Sequence, residues 1–196
     1  MALENKDRVP PPTPSEQYPR NAAETRQRIL EAAKTLFSRG AYSGVGTRDI
    51  AAEAGVNLTL INRYFGSKKQ LFAEVIMSLG GPPDSPDTAK KQSLAAIMDF
   101  LSEEENQRKQ ELRLVLFSAM DSDVSDVISD FFLHRSKVQA ELMQGDNKET
   151  KAVLNFSTIT GIALIALMFQ ASDRNKLDKA YLEKHFKDIL DTLYSE

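Results

Sequence analysis

The side chains with the most chemistry to offer lie between residues 47 and 69. Asn57, Thr59, Asn62 and Arg63 fall close together in one short stretch. Asparagine pairs two-pronged with an adenine edge, arginine's fork matches guanine, and Leu58 or the Thr59 methyl can meet a thymine methyl. Lys68 and Lys69 after it carry ammonium groups suited to phosphate oxygens. The lysines follow Ser67 in a capping pattern, Ser67-Lys68-Lys69-Gln70, and so occupy the first turn of a helix. The positive end of the helix dipole disfavours each cation there by about 0.3–1 kcal/mol. A lysine pair kept against that cost points to an anion held jointly by ammonium groups and helix N–H groups.

Other chemistries lack their residues. Zero cysteines exclude disulfides, a thiolate nucleophile and any cysteine-ligated metal. His134 and His185 are the only histidines, and neither follows a glutamate three positions earlier, so the di-iron bundle motif is missing. No Gly-x-Ser-x-Gly, phosphate loop or dinucleotide fingerprint occurs. Glu103-Glu104-Glu105 and the spaced Asp121, Asp123 and Asp126 read as a solvated turn and a helix start. The expectation is no enzyme, no metal site and no cofactor.

The elements that position the polar stretch are legible. Residues 1–22 contain Pro10, Pro11, Pro12, Pro14 and Pro19 and read as a disordered tail. A helix opens near Glu24, with Ile29, Leu30, Ala33, Leu36 and Phe37 as its apolar stripe, and stops at Arg39-Gly40. Thr47 can cap a second helix through Ile50, Ala51 and Ala54, Gly55 makes the turn, and Asn57 caps a third from Leu58 to Phe65. Ala51 is small enough for a close crossing, and Ile50, Val56 and Ile61 are spaced to pin the third helix on the second. That is helix-turn-helix geometry, although an ordinary αα-hairpin has the same outline. A fourth helix runs over residues 67–79, and Gly80-Gly81-Pro82-Pro83 breaks the chain. Five further helical patterns follow, with no alternating strand and no repeat. The fold is expected to be all-α: a three-helix head over residues 23–80 on a larger helical body over residues 86–196.

Charge follows the same division. The net charge is −3, yet residues 24–79 carry eight basic against five acidic groups, while residues 80–196 carry 14 against 20. A basic head on an acidic body attracts phosphate through one face. In the body, residues 151–171 are apolar nearly all round, so a helix there must be covered on both sides, by its own core and by a partner subunit. Gly161 permits a close approach, with Leu182, Phe186, Ile189, Leu190 and Leu193 near the same seam. The longest apolar run, residues 162–169, falls short of the roughly 20 residues that cross a bilayer, and no signal peptide is recognisable. The expectation is a cytoplasmic homodimer with no membrane contact.

Residues 24–79 resemble the DNA-binding head of the tetracycline-repressor (TetR) family of transcription regulators. The resemblance rests on Arg28-Ile29-Leu30-Glu31-Ala32-Ala33, Leu36-Phe37, Gly40, Thr47 with Ile50-Ala51, Ala54-Gly55-Val56, Tyr64-Phe65, and Ser67-Lys68 with Leu71-Phe72. It implies that Thr47, Tyr64 and Lys68 contact phosphates, with Arg48 beside them, and that Asn57, Leu58, Thr59, Asn62 and Arg63 face the groove of double-stranded operator DNA. Asn62 stands where family members often carry tyrosine, which bears on the base-reading set. The resemblance also implies a small apolar effector, with room for one polar or cationic group, in a pocket drawing on Met98, Phe117, Met120, Phe131 and Phe156. The expected function is a ligand-responsive repressor; the alternative is a helical small-molecule-binding or interaction protein that does not read DNA.

Overall fold

The computed structural model describes residues 14–102, 104–169, 173 and 176–195. Nine α-helices and no strand occur among the described residues. They are α1 (Pro14–Arg39), α2 (Thr47–Glu53), α3 (Leu58–Phe65), α4 (Lys68–Met77), α5 (Pro86–Leu101), α6 (Gln107–Ala119), α7 (Ser125–Glu141), α8 (Lys148–Met168) and α9 (Lys179–Tyr194). A short 3-10 turn, Tyr42–Gly44, joins α1 to α2.

Two boundaries differ from the sequence reading. The first helix starts at Pro14, ten residues before the expected Glu24, so the expected tail of residues 1–22 is helical over its last part. Proline is tolerated at a first helical position, and Asn21-Ala22-Ala23-Glu24 lets the helix run back towards it. Pro10, Pro11 and Pro12 lie outside the described residues. The cap of α2 is Gly46 and not Thr47: the Gly46 N–H donates to Asp49 Oδ2 at 3.0 Å, and a Cβ at Gly46 would sit 2.8 Å from that oxygen. Asp49 caps from inside the helix, which leaves the Thr47 hydroxyl out of the cap.

The core beneath α1–α4 is dense and apolar. Ile29, Ala33, Phe37, Ile50, Ile61 and Leu71 are fully buried. Phe72 meets Phe37 and Tyr42 edge-on, with ring centroids 5.1 and 5.0 Å apart. Gly55 (φ 63°) and Gly66 (φ 76°) end α2 and α3 in the left-handed region that other residues enter only with strain. The core does not stop at the Gly80–Pro83 break: Leu114, Val115, Val124, Ile128 and Phe131 of α6 and α7 continue it.

The body packs α5, α7, α8 and α9 around two smaller cores. By length and composition α8 is apolar enough to cross a membrane, with a mean hydropathy of 1.6 over an 18-residue window of which 22% is buried. The sequence reading judged only the uninterrupted run of residues 162–169. The helix qualifies because Ala152, Val153, Leu154, Phe156 and Ile159 extend the apolar character N-terminally. Its buried side carries Ala152, Asn155, Ala163 and Ala166; Leu154, Leu164, Ile165 and Met168 are exposed.

Candidate nucleic-acid interface and body cavity

Two short helices joined at Gly55 hold the polar stretch. Ile61 and Phe65 bury one side of α3, and Leu58, Leu60 and Tyr64 lean on the same core. The other side leaves Asn62 and Arg63 exposed, with no salt-bridge partner for Arg63 or Arg48 among the described residues. A rigidly backed helix with a free amide and a free guanidinium on its outer face is what reading a groove edge requires.

Other members of the expected set are committed internally. Asn57 caps α3, its Oδ1 accepting from the Thr59 N–H at 3.0 Å and from the Thr59 hydroxyl at 2.8 Å. That carbonyl is no longer free to take an adenine amino group, so of the Asn57 amide only the N–H donors face outward. Leu58 is half-buried against the core, which reduces what it can offer a thymine methyl. Of the residues expected to read bases, Asn62 and Arg63 stand exposed with no ion-pair partner among the described residues.

The lysine pair divides. Lys68 Nζ donates to the Tyr42 carbonyl at 2.6 Å and lies 4.0 Å from the centre of the Tyr42 ring. Desolvation pulls its ammonium below the ordinary lysine value, against the opposing fields of Asp121 and Asp123. Lys69 points to the body, where its Nζ meets Asp126 Oδ2 at 2.7 Å. Hydrogen bonding to Lys69 is the main influence holding the Asp126 carboxyl below its usual range. The sequence suggested two cations waiting on one anion; the fold ties one to the loop before α2 and the other to α7. The partner on the first tie, Tyr42, went unremarked in the sequence because no periodic segment contains it. Ser67 does cap α4 as expected, its Oγ accepting from the Gln70 N–H at 3.1 Å.

The body holds a half-open cavity of about 690 Å³, within the range of small-molecule sites. Its walls come from Leu79 and Gly80 just beyond α4, from Lys34 of α1, and from α5, α6, α7 and α8. Phe131 and Phe156 line it as expected, joined by Phe132, whose ring lies 5.6 Å from Phe131 and 6.2 Å from Phe156. Phe117, Met120 and Met98 do not line it. On α6 the inward positions are Glu111, Leu112 and Val115, which turns Phe117 (60% exposed) and Met120 (91%) to solvent. Met98 falls between the wall residues Ala96, Asp99 and Phe100 without joining them. Missed altogether were the polar wall residues Arg135, Gln139 and Asn155; Gln139 Oε1 and Asn155 Oδ1 are buried without a hydrogen-bond partner. Their sequence signal was weak, since polar residues inside an amphipathic helix read as its solvent face.

Residues 29–75 match the family model described as bacterial regulatory proteins, tetR family. The probable HTH-type transcriptional regulator YttP of Bacillus subtilis is 24% identical over 140 residues, covering 66% of this chain and 68% of that protein. The HTH-type transcriptional repressor Rv3405c of Mycobacterium tuberculosis is 39% identical over 70 residues, 36% of this chain and 37% of its own length. The match to that repressor therefore spans little more than a third of it. Among solved structures, Salmonella enterica GusR superposes with a TM-score of 0.63 at 16% identity, covering 87% of this chain and 95% of that one.

Proposed function

The chain belongs to the TetR family of regulators, and on that premise we propose that it is a homodimeric repressor released from operator DNA by a small molecule. The observation that carries the reading is the outer face of α3, where Asn62 and Arg63 stand exposed on a helix locked from behind by Ile61 and Phe65. A head that had ceased to read DNA would have no use for an unpaired arginine on so firmly held a helix. In this reading Asn62, Arg63 and Thr59 read bases, with Leu58 and Asn57 at the edge of the groove. Thr47, Arg48, Tyr64 and the α4 N-terminus with Lys68 grip the backbone, Lys68 exchanging its Tyr42 carbonyl for a phosphate oxygen. Operator binding implies a place in the cytoplasm with the nucleoid.

One recognition helix reads only a few base pairs, so two must be presented to successive major grooves. The exposed side of α8, with Leu164, Ile165 and Met168, continues through Ile189 on α9 and is the surface for a second copy. A partner helix is a better cover for it than lipid, since the opposite side of α8 packs on α5 and α7 and buries Asn155. The Gly161 position has nothing within 4 Å of an added Cβ, as a surface awaiting close approach requires. The effector enters the cavity beside Leu79 and Gly80, which follow directly on α4, and α4 begins at Lys68. Displacing α4 alters the spacing of the two heads, and a 100-fold release needs about 2.7 kcal/mol of coupling.

Salt-dependent binding to an operator fragment tests the assignment. Lys68→Ala should weaken all duplexes alike and lower the salt slope by about one counterion per subunit. Arg63→Ala should instead relax preference at particular positions. Altered base preference with undiminished affinity in Lys68→Ala would contradict these roles.

A further inference from the structure

The cavity wall holds a charge that the protein does not answer. Arg135 lines it, half-buried, and no carboxylate among the described residues pairs with it. Of the acids on the same walls, Asp99 Oδ2 pairs with Arg108 Nε at 2.9 Å, and Glu111 accepts from the neutral Gln107 amide at 2.7 Å; neither pairs with Arg135. The other two wall cations have carboxylate partners, Arg108 in Asp99 and Lys34 in Glu31 at 3.7 Å. Burial alone draws the Arg135 guanidinium below its ordinary value, and arginine remains charged there.

Position adds chemistry to the charge. Phe131, Arg135 and Gln139 are four residues apart along α7 and form one stripe down the cavity. Across from them on α8 are Phe156 and Asn155. The Asn155 amide donates to Ser93 Oγ at 3.2 Å and the Gln139 amide to the Tyr194 hydroxyl at 2.5 Å, which leaves both carbonyl oxygens without donors. Asn155 is 1% exposed and Gln139 6%, so each orphan is sealed from bulk water, where an unmet acceptor costs about 1–3 kcal/mol. Aromatic rings and a guanidinium without a carboxylate partner therefore line one cavity, while the two unmet oxygens lie sealed behind its wall.

We infer that the cavity binds a small aromatic organic acid, its carboxylate taken by Arg135 and its ring by Phe131, Phe132 and Phe156. This rests on the effector reading above and replaces an apolar or cationic ligand with an anionic one. Arg135 also supplies the link to DNA. Its Nη1 donates to the Gly80 carbonyl at 2.7 Å, and Gly80 (φ 53°) is the corner where α4 turns towards α5. A carboxylate that re-aims the guanidinium acts directly on the end of the lever.

Three probes differing only in their head group test the inference: 4-hydroxyphenylacetate, its neutral amide, and tyramine, titrated calorimetrically into the full-length protein. The acid should bind at least about tenfold more tightly than the other two, as a charge-assisted pair predicts. Arg135→Gln should abolish that preference, and Arg135→Lys should retain part of it. Tyramine or the amide binding as tightly as the acid overturns the inference without needing any variant to fold. No acid binding at millimolar concentration also overturns it, and leaves the regulator reading intact if the protein still binds operator. Acid binding through Arg135 that leaves operator affinity unmoved supports the site and removes only its role as a switch.

Discussion

Head and body bury their side chains in opposite ways. Under α1–α4 the core is apolar and closed, with Phe37, Phe72, Ile29, Ile50, Ile61 and Leu71 among the largest side chains fully hidden. The body hides Ser93, Ser118, Gln139 and Asn155, leaves three of their polar atoms unmatched, holds a large half-open cavity, and exposes Leu164, Ile165 and Met168. A reader of DNA must hold one shape, and dense packing does that. A sensor must be able to gain contacts, and unmet groups, empty volume and an uncovered apolar face are where contacts can be gained. The difference also explains why only the head matches a family model: one shape requires a narrow set of residues, whereas a ligand cavity does not.

The comparison can be broken first by truncation. Phe72→Ala should cost about 3–5 kcal/mol in urea unfolding, because its dense surroundings cannot collapse onto the void. Phe156→Ala, which enlarges a space already open, should cost clearly less, about 1–2 kcal/mol. Equal losses would mean that the body is packed as tightly as the head. Leu164→Glu together with Ile165→Glu should convert the dimer to monomer in sedimentation at micromolar concentration, since charges cannot be covered by a second copy. A persistent dimer would move the interface off α8.

Much of the head was legible in the sequence, and for a physical reason. Gly55, Gly66 and the Ser67 cap are local signals whose meaning depends on a few neighbouring residues, and all three perform as read. What escaped was non-local. That Lys68 turns to Tyr42 and Lys69 to Asp126 depends on elements 26 and 57 residues away. Likewise, Phe117 and Met120 look like pocket residues by type, yet the phase of α6 decides which side of that helix faces inward. Arg135 and Asn155 looked solvated by type, yet α7 and α8 enclose them.

Smaller effects sharpen the same contrast. Gly66→Ala should destabilise by about 1–2 kcal/mol, because φ 76° is strained for any side chain. Asn155→Leu should change stability by less than about 1 kcal/mol, since it removes an unmet acceptor along with a single hydrogen bond. At the small end stands the exposed Lys69–Asp126 pair. The Asp126 carboxyl titrates below its ordinary 3.8, so whatever the pair contributes is present above that pH and is lost as the pH falls through the lowered value. Lys69→Ala should move the Asp126 titration, followed by carboxyl NMR, back up towards 3.8 with little change in melting temperature.

The account depends most on the outer face of α3, and selection from a random duplex library by the full-length protein tests it directly. The expected product is an inverted repeat whose half-sites lie roughly 34–36 Å apart or a multiple of that, with preference at defined positions lost in Arg63→Ala and Asn62→Ala. No enrichment over the starting library, or an enriched site without two-fold symmetry, would contradict it.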